Sequence, residues 1–152
     1  MRANDIRQVI DVRTIPRSRH NPQFNAETLA PFLRNRRIGY RRMKDLGGLR
    51  RARADSPNLG WRNSSFRGFA DYMQTPQFER GLSRLIDVAA RKITAIMCAE
   101  AVPWRCHRSL IADALAVRGI EVRHIFGAAS SRPHRLTPMA RVSGNQITYP
   151  AS

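Results

Sequence analysis

Three short segments rich in apolar and β-branched residues, 7–13, 93–98 and 121–126, constrain the fold more than anything else in this chain. Helix-length stretches with a 3.6-residue apolar period separate them. Strands that alternate with helices cannot pair as hairpins, because each helix carries the chain back to start the next strand in the same direction. The pattern therefore predicts an α/β fold, a mostly parallel twisted sheet flanked by helices, as in a Rossmann-like or flavodoxin-like three-layer sandwich. Between the first two strands, Asn25 is expected to cap a helix with Leu29, Phe32 and Leu33 on its apolar face, and Gly39 to stop it. Residues 38–43 follow as a second strand. Residues 49–65 read as a long basic loop, 66–74 as a short aromatic-rich helix, and Thr75-Pro76 as the cap and first position of another helix. The latter carries Phe78, Leu82, Leu85, Ile86 and Ala89 on its buried stripe. A helix over 109–118, ended by Gly119, leads into the strand at 121–126, and a possible edge strand at 146–149 lies in a loop-rich tail. The 152 residues suit a single domain, 1–152, with its core at about 5–126 and a loop-rich C-terminal segment at 127–152.

In a parallel sheet, ligands sit beyond the carboxyl ends of the strands. Four segments fall there, residues 11–19, 44–48, 98–107 and those after Phe126. They are also the richest in Cys, His, Arg, Gly and acids. The densest is Cys98-x-Glu100-x5-Cys106-His107-Arg108. Cys106 and His107 fall at a helix start, a position that favours thiolate and binds anions, with Arg108 beside them. Glu100 reads as a general acid or base, or as a carboxylate that orients an arginine. The alternatives for these positions are plain: Cys98 as a small buried hydrophobe and His107 as a helix-start histidine. Asp11 and Arg13, at the end of the first strand, either pair with each other or flank a substrate, with Ser18 and Arg19 following. Gly47-Gly48 permits close backbone approach to a ligand. The candidate catalytic residues are thus Glu100, Cys106, His107 and Asp11. The candidate anion-binding residues are Arg13, Ser18, Arg19, Gly47, Gly48, Arg108 and His134. No cofactor is required by the sequence. A zinc ion held by Cys98, Cys106, His107 and His134 is an option, although the spacing matches no common zinc pattern.

The net charge of +16 arises almost entirely from arginine, lysine occurring only at Lys44 and Lys92. Arginine's planar fork grips phosphate in bidentate fashion, which points to nucleic acid or another phosphate-bearing anion as partner. Phe24, Trp61, Phe66, Phe69 and Tyr72 serve equally as base-stacking platforms or as core. No apolar run has the length of a membrane span, the first residues lack the apolar stretch of a secretory signal, and two cysteines without a framework suit a reducing compartment. A cytoplasmic location is expected.

Several motifs together carry a family resemblance. They are Asp11-Val12-Arg13-Thr14-Ile15-Pro16-Arg17-Ser18-Arg19, Asn21-Pro22-Gln23-Phe24, Leu46-Gly47-Gly48, residues 66–73, the Cys98/Glu100/Cys106-His107-Arg108 cluster and His134-x-Leu136-Thr137-Pro138. From about Asp5 to Pro150, in order and at matching spacing, the chain resembles the domain-of-unknown-function 488 family. The resemblance implies an α/β sheet and a polar site built from Asp11, Arg13, Ser18, Glu100, Cys106, His107 and Arg108, without a settled activity. Members of that family usually open with a strand, a Gly-His/Tyr-Ser turn and a helix before the Asp-Val-Arg strand. This sequence begins at what looks like the tail of that helix, so one wall of the site is expected to be missing. The leading functional expectation is an enzyme or former enzyme acting on nucleic acid or a nucleotide-like anion, with Glu100 as acid/base and Arg13 and Arg108 as anion clamps. The alternatives are a non-catalytic nucleic-acid binder and a Cys106-dependent sulfur or phosphate transferase.

Overall fold

The computed structural model describes residues 5–13, 25–48, 50–98, 107–127 and 130–151, the side chains of Phe126 and Gly127 excepted. At its centre is β1 (Gln8–Asp11), all four of whose residues are buried. It is flanked by β2 (Gly39–Arg42) and β3 (Thr94–Met97) in the order β2-β1-β3, and both neighbours run parallel to it. The register sets Val9 beside Tyr40 and Ala95, and Asp11 beside Arg42 and Met97. Asp11 therefore stands at the carboxyl edge, where the three strands end together.

Alternation along β1 divides the core in two, because successive side chains point to opposite faces. Val9 faces α1 (Ala26–Asn35) and joins Ile6, Leu29, Leu33 and Ile38. Ile10 and Val12 face the larger cluster, formed with α2 (Ser64–Tyr72), α3 (Pro76–Ala89) and α4 (Arg108–Val117) around Phe69, Phe78, Leu82, Leu110 and Ile111. Thr75 caps α3 as expected, its Oγ1 accepting the Phe78 amide at 3.3 Å, with Pro76 in the first turn.

The helix ends are a correction. Gly39 does not stop α1; it opens β2. Arg37 takes the left-handed conformation, φ +60°, while Ile38 N–H bonds Leu33 O and Arg37 N–H bonds Arg34 O. The same closing pair of hydrogen bonds ends α4, where Gly119, φ +78°, has the role that sequence reasoning assigned it.

The strand expected at 121–126 forms, as β4 (Arg123–Gly127), but does not extend the parallel sheet. It pairs antiparallel with β5 (Ser130–Pro133), and β6 (Arg141–Ser143) with β7 (Gln146–Thr148) makes a second hairpin. The described residues thus form a mixed α/β fold with a three-stranded parallel sheet and two small antiparallel hairpins, rather than one long sheet. Residues 143–146 turn through Gly144, φ +61°, at the first central position of a two-residue hairpin loop. The tail is no loose appendage, since Ile147 and Tyr149 are buried in the larger cluster.

The basic segment is a loop over residues 50–63, shorter than the expected 49–65 because α2 already begins at Ser64, capped by Asn63, and it is pinned. Buried Asp71 on α2 accepts hydrogen bonds from the Arg53 amide (2.8 Å), Ser56 Oγ (2.6 Å) and Asn58 Nδ2 (2.7 Å). Asn58 Oδ1 in turn accepts the Tyr149 amide at 2.8 Å. A Cβ on Gly68 would lie 2.1 Å from Arg50 O, so only glycine lets α2 seat on this loop. Among the described residues no helix is long and apolar enough to cross a membrane.

Candidate functional site

Asp11 is fully buried at the carboxyl end of β1, and its carboxylate is saturated. Oδ1 accepts from the Arg13 amide (3.1 Å) and Arg13 Nε (2.9 Å), and Oδ2 from Arg13 Nη2 (2.7 Å) and the Tyr40 hydroxyl. Burial by itself raises a carboxyl pKa, but here the hydrogen bonds from Arg13 and Tyr40 and the guanidinium charge prevail and hold Asp11 below its ordinary value. Tyr40, desolvated and donating to that carboxylate, is pushed up to about 12. Of the two sequence alternatives for Asp11 and Arg13, the mutual pair is the one formed. Its fork-to-fork geometry fixes both side chains.

His107 lies just before α4 and meets the same edge from the other side. Its Nε2 bonds Leu46 O at 2.9 Å, and its ring centroid is 4.9 Å from that of Phe69. Burial drives its pKa down to about 4, against the opposing pull of the Leu46 and Val12 carbonyls, so the ring is neutral at pH 7. A Cβ on Gly48 would lie 2.5 Å from His107 Nδ1. The space that Gly48 leaves open is therefore taken by this imidazole, while Gly47 donates its amide to Lys44 O at the end of the 3-10 turn over residues 44–46. Asp11, Arg13, Gly47, Gly48 and His107 thus do converge around one strand end.

His134 belongs to a different group. His134 Nε2 bonds Asp113 Oδ1 at 2.7 Å, and His134 Nδ1 lies 2.7 Å from His124 Nε2. Asp113, fully buried on α4, also accepts from the Thr137 amide (3.0 Å) and, through Oδ2, from the Tyr149 hydroxyl (2.8 Å). The Tyr149 hydroxyl is held protonated by burial and by that carboxylate. Burial, then the His134 and Arg108 charges, lower the pKa of His124. Arg108 acts on His107 as well as on His124, and so stands between the two groups. Ser18, Arg19, Glu100 and Cys106 lie outside the described residues. Cys98 is disulfide-bonded, a correction to the free thiol that the cysteine count led us to expect, and it packs against the larger core cluster. Among the described residues no group of three or more His, Cys, Asp or Glu side chains is placed to hold a metal. Of the ligands considered for zinc, His107 and His134 belong to separate hydrogen-bond networks.

Sequence reasoning missed Tyr40, Asp113, His124 and Tyr149. Asp113 did carry a signal: it is the one charged residue in the otherwise apolar run Leu110-Ile111-Ala112-Asp113-Ala114-Leu115, and a buried acid needs partners.

The geometry defines a mixed α/β protein with three buried aspartate networks, one closing the carboxyl edge of a short parallel sheet. The chain belongs to the family described as Domain of unknown function DUF488, whose model matches residues 1–115. No curated protein and no solved structure matches it.

Proposed function

We propose that this protein binds nucleic acid through its phosphates. One observation carries the reading: three of the eleven acids are buried, whereas of the described arginines only Arg13 is. Asp11, Asp71 and Asp113 are buried and saturated by internal donors. Asp55, Glu79 and Glu121 are engaged by Arg53, Arg118 and Arg123. The charge of +16 is therefore carried largely by side chains that reach solvent. Two basic concavities suit a phosphate chain. One, past β2, is bordered by Arg42, Lys44 and Arg84, with Asp45 beside them. The other, at the start of α2, is bordered by Arg50, Arg51, Ser64 and Ser65.

The arginines are not equivalent. Arg50 is tethered to Gly47 O and Lys44 O and lies over the Tyr72 ring at 3.7 Å, and Arg53 is paired with Asp55. Exposed Arg51 and Arg84 are the better phosphate ligands. Fluorescence anisotropy with a labelled oligonucleotide tests this. Binding weakens linearly on a log–log salt plot, and Arg51→Gln/Arg84→Gln lowers the slope by about 2. An unchanged slope, or no binding at low salt, defeats the reading.

A second reading has an observation of its own: Asp11, Arg13, Gly47, Gly48 and His107 gather at the carboxyl end of the sheet. On that reading the protein is an enzyme acting on a nucleic acid or nucleotide-like anion, with Glu100 as acid/base and Arg108 as clamp. Arg13, already bound by Asp11, positions more than it clamps. Glu100→Gln then abolishes turnover while Cys106→Ser is mild. The opposite pattern moves the chemistry to a cysteine-dependent sulfur or phosphate transferase, which requires reduction of the disulfide at Cys98, since the chain has two cysteines.

A further inference from the structure

β3 is an edge strand among the described residues, and β4 pairs only with β5. Between them, floored by α3 and α4, lies a cavity of about 190 Å³. That is below the range of pockets that enclose a whole drug-sized molecule; it holds one ring system, and because the cavity is open on one side the rest of a ligand lies at its mouth. Its wall is mainly apolar, with Leu85, Ile86, Ala95, Ile96, Ala112 and Leu115 contributing. Its polar lining is concentrated in Arg108 on α4 and His124 on β4, with Arg123 and Glu121 near them.

His124 is not an isolated histidine. Asp113 Oδ1 accepts from His134 Nε2–H, which in a neutral ring leaves His134 Nδ1 as an acceptor for His124 Nε2–H. The unprotonated nitrogen of His124 is then Nδ1. A proton arriving there makes an imidazolium whose Nε2 proton is shared with His134, and whose charge is offset by the buried Asp113 carboxylate. The remaining donors to Asp113, the Thr137 amide and the Tyr149 hydroxyl, are neutral, so its charge is not otherwise balanced.

We propose that this cavity binds one nucleoside monophosphate, its base against the apolar wall and its phosphate beside Arg108 and His124, with a proton taken up at His124 Nδ1 on binding. The identity of the ligand rests on the nucleic-acid reading above; the anion-binding, proton-coupled cavity does not. In the empty cavity burial, and then the guanidinium of Arg108 beside it, lower His124 below its ordinary value against the pull of Asp113. An entering phosphate reverses that balance, and the ring then titrates at higher pH. Of the other charged groups lining the cavity, Arg123 favours the phosphate and Glu121 opposes it, while α3 and β3 contribute no titratable group to its lining. Affinity therefore rises as pH falls into the interval in which the liganded ring takes its proton and the empty one does not.

The test is isothermal titration calorimetry on the whole chain in two buffers of different ionisation enthalpy, with adenosine 5′-monophosphate, adenosine and inorganic phosphate as separate ligands. The monophosphate is expected to bind at least about tenfold more tightly than either fragment, with a measurable fraction of a proton taken up. His124→Gln, which retains an amide to donate toward His134, abolishes the uptake and flattens the pH dependence. Nitrogen-15 imidazole spectra of the unaltered protein give an independent readout, in which the His124 Nδ1 resonance moves on addition of the monophosphate. Fragments that bind as tightly as the monophosphate, uptake that persists in His124→Gln, or a stationary His124 resonance each overturn the proposal. An oligonucleotide titration on the same sample separates the two readings. Oligonucleotide bound and monophosphate refused overturns the cavity site alone. Monophosphate bound and oligonucleotide refused overturns the nucleic-acid reading and leaves the cavity standing.

Discussion

Asp11 and Asp113 are both fully buried, yet they solve the cost of burial in opposite ways. Asp11 is neutralised by a full opposite charge, since Arg13 grips both of its oxygens and Tyr40 completes the set. Asp113 has no arginine among its hydrogen-bond donors, which are an imidazole, a backbone amide and a tyrosine hydroxyl. A carboxylate closed by guanidinium is inert, because its charge and its lone pairs are spent. A carboxylate held by neutral donors keeps its charge available, and here the His134–His124 chain conducts that influence to the wall of a cavity. The first network organises the sheet edge; the second is equipped to respond to a ligand.

The largest expected effect breaks the first network. Arg13→Leu leaves Asp11 buried and uncompensated and lowers unfolding free energy by about 3–5 kcal/mol in urea denaturation. Asp11→Leu/Arg13→Leu, which removes both charges, recovers most of that loss; a double variant as unstable as the single one means that the pair is not the reason.

Acid sharpens the contrast next. His107 has a folded pKa of about 4, below its ordinary 6.5, so the unfolded chain binds the extra proton. Stability is complete above about pH 6.5 and falls by about 3 kcal/mol on the way to pH 4. Asp11, also depressed, contributes stability above its ordinary value of 3.8 that is lost only as pH falls below it. Thermal unfolding from pH 8 to 3 should therefore show a decline beginning near pH 6.5, and His107→Gln should flatten that first part.

Asp113→Asn is smaller, at about 1–3 kcal/mol, because it keeps the shape but turns an acceptor into a donor facing donors. Loss at the lower end leaves the His134 and Tyr149 contacts partly intact, and nitrogen-15 spectra should then show the His134 tautomer changed. The smallest is His124→Gln, expected to alter stability by about 0.5 kcal/mol or less, since it ends the chain at a cavity instead of bridging two elements. A loss of several kcal/mol would make His124 a structural pillar and weaken its assignment as the responsive end.

Much of the first network could be read from the chain. Asp11-Val12-Arg13 at the end of an apolar run puts acid and base on one face, two residues apart, at the place where parallel strands expose ligands. The second could not be read in full. Asp113 was legible as an acid in an apolar helix, but its partners His134, Thr137 and Tyr149 come from as far as 36 residues away, and no local period announces them. The same limit applies to Asp71, whose bonds to Ser56 and Asn58 give the basic loop its shape. Arg37 shows the limit at short range, because a Schellman-type ending needs a left-handed residue, and only the packing of Ile38 against Leu29 and Leu33 makes an arginine accept it.

What the sequence determined by itself was the alternation of strands and helices, the first strand's polar terminus, the caps at Thr75 and Gly119, and the family. Each depends on interactions within a few residues or on a pattern of apolar positions, and those are written along the chain. What only the tertiary structure decided was that β4 folds back on β5 instead of joining the sheet, that His107 fills the space over Gly48, and that Asp113, His134 and His124 form one line. Those outcomes turn on which surfaces meet and which donors a buried charge can reach, and contacts between distant segments have no signature in local order.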